Sequence, residues 1–340
     1  MALFRSIEHT FRAATLAFLT LWGAEQAEAQ CVPEREAYFA MDAQTGEVLL
    51  EQDADTRIQP ASMTKLMTLL LAHEAIEEGL MSPDDRIFIA NGTLHRDDLE
   101  RFSHWSGSIR LSDAMRGAAI SSYNDMAATI AEFTAKARGI GNTETQFVAL
   151  MNQRAQELGM THTVFYNASG LPTPLIRTRD GGTTTRDLAI LLKHILDKHP
   201  DLVALLGTET ARVRGRTLHN TNTLLRNDTI PDEDIFGKTG YTCDAGYALT
   251  AHTRRGERQV IASYVGGRNA SDREAAFLRI LNEAFEKLEH EAPDVPRDTP
   301  QGPPEHDPGG GPLIYQTDRR EPDAVDGCSS DAPGLPECIR

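Results

Sequence analysis

Lysine, cysteine, net positive charge and long apolar runs are all scarce in this 340-residue chain. Each shortage removes a class of explanation. Four cysteines (Cys31, Cys243, Cys328 and Cys338) are too few and too scattered to build a core from disulfides, and they form no Cys-x-x-Cys pair. The 11 histidines show no ligand spacing, so no metal site and no cofactor is expected. Basic residues number 34 against 50 acidic ones, leaving −16 with no basic patch to offset it, which argues against a nucleic-acid partner. The one long apolar run, Ala13 to Ala24, is shorter than the ~20 residues that a membrane-spanning helix needs. No internal repeat at a solenoid period is visible.

What is present divides the chain into three parts. Residues 1–29 read as an export signal: Arg5 and Arg12 precede the apolar run, and Ala27-Glu28-Ala29 offers a small-x-small cleavage site, so Gln30 is expected to begin the mature protein. Export to the periplasm or cell envelope permits disulfides, and four cysteines allow three fully paired connectivities that sequence does not separate. Residues 293–340 hold 10 of the 17 prolines together with six glycines, and ten acidic residues against four basic. Such a segment buries too little apolar surface to offset its ordering entropy and is expected to be a disordered acidic tail. Residues 30–292 remain as the folded body, with no membrane span once the signal is removed.

The body opens with strand-like runs at Ala37–Met41 and Glu47–Leu50 around a turn-rich connection. A second pair, Tyr247–Thr250 and Val260–Val265, lies near its other end. Between them helical periodicity dominates: Leu66, Leu69, Leu70 and Ile76 share a face, Ser112–Ile120 and Asp187–Leu196 behave similarly, and another helix is predicted over Ser271–Leu288. Strands at both ends with helices between them predict an α/β (α+β) fold, one sheet assembled from the two termini and flanked by helices.

Chemistry enters at Ser62-Met63-Thr64-Lys65, where the first strong helix begins. Positions i and i+3 share a helical face, so the Ser62 hydroxyl and the Lys65 amine can meet. A serine hydroxyl is a weak nucleophile until a base takes its proton; a neutral lysine can do so and an arginine cannot. With 28 arginines and only six lysines in the chain, a lysine at position 65 is informative. Taken alone, the pair still reads as a helix-capping serine and a surface lysine. Two further motifs change that weighting: Ser122-Tyr123-Asn124, and Lys238-Thr239-Gly240 within Gly237–Tyr241. From the chain's own composition the three coincide by chance with an expectation of about 0.004.

This triplet resembles that of class A β-lactamases and penicillin-binding proteins. From about Glu36 to Glu289 the chain is most similar to the D-alanyl-D-alanine carboxypeptidases, the low-molecular-mass penicillin-binding proteins. The similarity extends to Gly159–Phe165, Asn167–Pro172, Thr184–Ala189, Asn220–Leu225 and Gly237–Ala248. The resemblance implies an antiparallel sheet flanked by helices, with a helical subdomain and the active site in the cleft between them. The second, all-strand domain and the amphipathic anchor of the family's larger members have no counterpart in these residues.

Carried over residue by residue, the resemblance makes Ser62 the acyl-ester nucleophile, Lys65 its general base and Ser122 the proton relay to the leaving D-alanine. Asn124 would bind the substrate peptide, Lys238 would polarise Ser122 and attract the terminal carboxylate, and Thr239 would donate a hydroxyl to that carboxylate. The N–H groups of Ser62 and Tyr241 would form an oxyanion hole. Gly240 is expected to be glycine so that a substrate can lie along the strand edge. The implied substrate is the peptidoglycan pentapeptide, with β-lactams as inhibitors; a D,D-endopeptidase, a β-lactamase and a non-catalytic cell-wall-binding module are the alternatives. Class A deacylation uses a Glu-x-x-x-Asn element, and none of Glu132, Glu144, Glu157, Glu209 and Glu233 has an asparagine in the next four positions, so acylated penicillin should persist. Tyr123 replaces a smaller or acidic residue and is expected to narrow the cleft. Asp125 reads as a structural acceptor, Cys243 as a buried structural residue, and His104, His162 and His219 as surface or packing groups.

Overall fold

The computed structural model describes Pro33 and residues 35–89, 102–103, 105–172, 182–226 and 234–291. The expected signal and tail, and with them Cys31, His104, Cys328 and Cys338, lie outside the described residues.

The chain first forms a hairpin, β1 (Ala37–Asp42) and β2 (Val48–Gln52), then a 3-10 turn at Ala61–Thr64 that runs into α1 (Lys65–Glu77). A short hairpin, β3 (Arg86–Ile89) and β4 (Gly107–Arg110), leads to α2 (Leu111–Ala119), α3 (Asn124–Ala137) and α4 (Glu144–Glu157). Next come α5 (Thr185–Lys198), α6 (Pro200–Leu206), a second short hairpin of β5 (Thr210–Val213) and β6 (Arg216–His219), and a 3-10 turn at Thr223–Arg226. The chain closes with β7 (Asp234–Thr242), β8 (Gly246–Arg255), β9 (Arg258–Gly267) and α7 (Ala270–Glu291).

The two ends meet in one antiparallel sheet of order β2-β1-β9-β8-β7, as the sequence pattern predicts. Side chains alternate across it. Ala40 and its partner Ala262 face α7, where Phe277, Ile280, Leu281, Ala284 and Phe285 form an apolar layer. Met41 and its partner Ile261 face the other way, into the helical layer. There α1 differs from expectation. Its buried positions run without a break from Lys65 to His73, so it is a central helix wrapped on all sides rather than an amphipathic one. Among the described residues no helix is long and apolar enough to cross a membrane.

The two short hairpins escaped the sequence reading because a four-residue strand such as Thr-Ala-Arg-Val, with two apolar positions, is too short for its alternation to stand out. Arg214-Gly215 held a usable signal. Both residues have positive φ, 48° and 76°, as a two-residue hairpin turn of type I′ requires.

Candidate active site

Ser62 sits in the 3-10 turn that feeds α1, and three devices hold that turn. Its neighbour Met63, fully buried among Ala37, Ile58, Leu188, Ala248 and Val265, plugs it into the sheet. Ala61 takes the left-handed conformation at φ 48°, a strained state for a residue with a Cβ. Gly170 lies directly over the turn: a Cβ there would fall 1.7 Å from the Ala61 carbonyl oxygen, so no other residue fits. The glycine is presented by a loop in which Asn167 Oδ1 accepts from the N–H groups of Ser169 (3.1 Å) and Gly170 (2.6 Å). Thr68 on α1 donates to the Ala168 carbonyl at 2.7 Å, and Glu144 Oε1 accepts from Ala168 N–H at 2.8 Å. The Asn167–Pro172 segment, known from sequence only as a likeness, is thus a clamp on the Ser62 turn.

Lys65, the first residue of α1, is completely buried, and its Nζ lies 2.8 Å from Ser62 Oγ. It also donates to Asn124 Oδ1 at 2.7 Å and to the Ser169 carbonyl at 2.8 Å. Both oxygens can only accept. Asn124 begins α3, and the loop before it holds Ser122 in the left-handed region, φ 61°. The Ser122 hydroxyl is buried and makes no hydrogen bond to any described residue. A strained residue with an unsatisfied buried hydroxyl costs about 1–3 kcal/mol on each count and is typical of a functional position.

The third motif lies on β7, an edge strand of the sheet. Lys238 is 1% exposed, and its Nζ reaches Thr221 Oγ1 at 3.3 Å and the Thr239 carbonyl at 3.4 Å. Thr239 Oγ1 lies 2.6 Å from Thr221 Oγ1. The Asn220–Asn222 loop presents Thr221: Asn220 Oδ1 accepts from Asn222 N–H, and Thr221 N–H donates to the Ile120 carbonyl in the helical layer. Of the six lysines, Lys65 and Lys238 are the two that are buried.

Ser62, Ser122, Asn124, Thr239, Gly240 and Tyr241 all line one cleft of about 640 Å³, whose wall also includes Thr221, Arg226 and Arg273. Lys65 and Lys238 lie beneath that surface. Arg273 is a cleft residue that no motif marked; it comes from α7, is 4% exposed, and pairs with Glu274 at 3.1 Å.

Several expectations change. A Cβ on Gly240 would meet Ala61 Cβ at 3.0 Å and Met63 Cγ at 3.3 Å, so glycine also lets β7 seat closely against the Ser62 turn, which would otherwise have to give by a few tenths of an ångström. Tyr123 does not narrow the cleft; its ring packs edge-on against Trp105, 5.9 Å between centroids. Cys243 is exposed on the cleft wall rather than buried, and it is disulfide-bonded, which removes it as a thiol nucleophile. Asp125 does act as a structural acceptor, taking the N–H and hydroxyl of Ser103. His162 and His219 are exposed. Among the described glutamates named above, none lines the cleft.

A sheet-edge Lys-Thr-Gly seated beside a Ser-x-x-Lys helix turn on one cleft unites motifs that penicillin-binding proteins carry. A penicillin-binding protein of Listeria monocytogenes, solved with ampicillin bound, superposes with a TM-score of 0.63 at 28% identity, covering 73% of this chain and 96% of that one. The family model described as D-alanyl-D-alanine carboxypeptidase matches residues 24–269, and the chain belongs to that family. It is 32% identical over 262 residues to the D-alanyl-D-alanine carboxypeptidase DacF of Bacillus subtilis, covering 75% of this chain and 63% of that protein. To the D-alanyl-D-alanine carboxypeptidase DacA of Escherichia coli it is 29% identical, with 75% and 62% covered. The chain thus spans somewhat under two thirds of the length of these curated relatives.

Proposed function

We propose that this protein is an exported serine D-alanyl-D-alanine carboxypeptidase that trims peptidoglycan stem peptides and is acylated by β-lactams. The observation that carries this reading is the hydrogen-bond arithmetic at Lys65. A neutral amine has two N–H donors and one lone pair. Asn124 Oδ1 and the Ser169 carbonyl can take the two donors, which leaves the lone pair for the Ser62 hydroxyl 2.8 Å away. When the proton crosses, the ammonium has three donors for the same three oxygens. The proton moves and no heavy atom has to.

Ser62 Oγ then attacks the carbonyl carbon of the penultimate D-alanine, and the oxyanion is met by the N–H groups of Ser62 and Tyr241. The amide C–N bond breaks as Ser122 passes its proton to the departing nitrogen and is reprotonated by the Lys65 ammonium, and free D-alanine leaves. Water hydrolyses the ester and restores Ser62. Lys238 and Thr239, with the Arg273 charge on the cleft wall, receive the terminal carboxylate. In a chain of net charge −16 long-range attraction does not help an anionic substrate, so this capture is local. The lack of a glutamate on the cleft wall, among the described residues, supports slow deacylation by water when the acyl group is a penicillin.

The test is free D-alanine released from an acyl-D-alanyl-D-alanine peptide, compared with its C-terminal amide. A charge-assisted hydrogen bond to the carboxylate is worth about 1.5–3 kcal/mol, so the amide should be cleaved at least roughly tenfold less efficiently. Ser62→Ala should abolish both this activity and capture of a fluorescent penicillin. Equal cleavage of acid and amide, with preferential opening of cross-linked dimers, would point to an endopeptidase instead.

A further inference from the structure

At the opposite end of α1 from Lys65, about 18 Å along the helix axis, three histidines and two glutamates gather. His73, Glu74 and Glu77 come from the last turns of α1, His194 from α5, and His199 from the junction between α5 and α6. The sequence hid this cluster because His73 and His199 are far apart in the chain and no spacing rule joins them. The residues fall into two overlapping trios.

The trio of Glu74, His194 and His199 is already served by a cation. Arg154 donates to Glu74 Oε1 at 2.6 Å and lies 3.1 Å from His194 Nε2. The trio of His73, Glu77 and His199 is different. His73 Nε2 lies 3.2 Å from Glu77 Oε1, and His199 Nδ1 lies 3.0 Å from Glu77 Oε2. Ligands on a tetrahedral zinc ion, with bonds of about 2.0 Å, stand about 3.3 Å apart.

The protons of His199 supply a second, independent argument. The ring is buried, and it faces a carboxylate at each nitrogen: Glu77 at Nδ1, and Glu74 Oε1 at 3.9 Å from Nε2, an atom that makes no hydrogen bond to any described residue. A neutral imidazole has a single N–H and a single nitrogen lone pair, so with a carboxylate at each nitrogen that lone pair must face one of them. A cation on Nδ1 removes the conflict. The Nδ1 lone pair and Glu77 then share the cation, while Nε2–H turns towards Glu74, the carboxylate partner that metal-bound histidines characteristically have. The half-exposed Glu77 side chain leaves one side open for entry and for water as a fourth ligand. The negative end of the α1 dipole favours positive charge at the same place.

We propose that His73, Glu77 and His199 form a binding site for a divalent cation of the zinc class, which clasps the end of α1 to the α5–α6 junction. Two imidazoles and one carboxylate suit zinc or cobalt and not magnesium, which prefers all-oxygen octahedral sites.

The experiment is a titration of the untagged, full-length mature chain with Co²⁺, followed by its visible ligand-field absorption, and equilibrium dialysis against Zn²⁺. Saturation at one ion per chain, displacement of Co²⁺ by Zn²⁺ and no competition from excess Mg²⁺ are expected. Glu77→Gln and His199→Gln should each weaken Zn²⁺ by at least about tenfold. Glu77→Gln, at a half-exposed position, should still capture fluorescent penicillin, which shows that the fold survives. Absence of saturable binding in the wild-type chain, or binding unchanged in both variants, would overturn the proposal.

Discussion

Two regions of the central sheet are built on opposite principles. Against α7 the sheet buries apolar side chains: Phe277, Ile280, Leu281 and Phe285 pack on Ala40, Leu249, Ala251 and Ala262. Where β7 meets the Ser62 turn and the helical layer, the buried groups include Lys65, Lys238, Asn124, Thr239 and Ser122. Of the four non-glycine residues with positive φ, Ala61 and Ser122 fall in this second region. Polar burial and left-handed backbone both reduce stability, and each persists only when the surroundings over-determine it. The apolar layers, against α7 and within the helical layer, supply the stability that offsets this strained polar cleft, so the α7 layer and the cleft should respond to mutation in different measurements.

The largest effect should come from the apolar face. Phe277→Ala removes a fully buried ring and should cost about 3–5 kcal/mol of unfolding free energy. The acylation rate of the molecules that remain folded should hardly change, since Phe277 packs in the apolar layer and is not among the residues that line the cleft. A parallel loss of acylation rate, measured with fluorescent penicillin well below the melting temperature, would show that the two regions are not separate. Next in size is Lys65→Arg, which retains charge and forfeits any proton acceptor. Acylation should fall by at least about 10²-fold, the lower end for general-base catalysis. Gly170→Ala sharpens the same contrast without altering any reacting group: to avoid the Ala61 carbonyl the loop or the turn must shift, and displacing a nucleophile by about 1 Å costs on the order of 10²-fold. If either variant acylates at the wild-type rate, the role given to its residue is wrong.

How much of this was legible beforehand depended on range. The Ser62–Lys65 contact lies within one helical turn, so spacing alone predicted it. The sheet built from both ends was readable because β1, β8 and β9 carry apolar runs. The clamp was not readable. Gly170 earns its place through a contact with Ala61, more than a hundred residues earlier in the chain, and Thr221 through hydrogen bonds to β7; neither has a local signature. Arg273 and the His73–Glu77–His199 cluster stayed hidden for the same reason, since tertiary proximity leaves no mark on spacing. Tyr123 was misread because a position in a motif does not fix which way its ring turns. It follows Trp105, which sits on the apolar side.

The smallest expected effect concerns pH and belongs to the sheet. His252 on β8 is 3% exposed, its ring stacks on Phe236 with 4.7 Å between centroids, and Nε2 lies 3.0 Å from Gln259 Oε1. Burial lowers its pKa from the usual 6.5, more strongly than the Gln259 contact raises it. The unfolded chain therefore binds this proton more readily than the folded one. Stability from the neutral ring is complete above about pH 6.5 and is lost as pH falls through the histidine range towards the lowered value. One such proton contributes a slope of at most about 1.4 kcal/mol per pH unit. Urea unfolding at intervals from pH 7.5 to 5 should show the decline, and His252→Phe should flatten it. That variant keeps the stack on Phe236 and gives up the Gln259 contact, so it should be somewhat less stable at pH 7.5 and lose less on acidification. An unchanged slope in His252→Phe would assign the acid sensitivity to other groups and leave the β8 face as inert as the α7 face behind it.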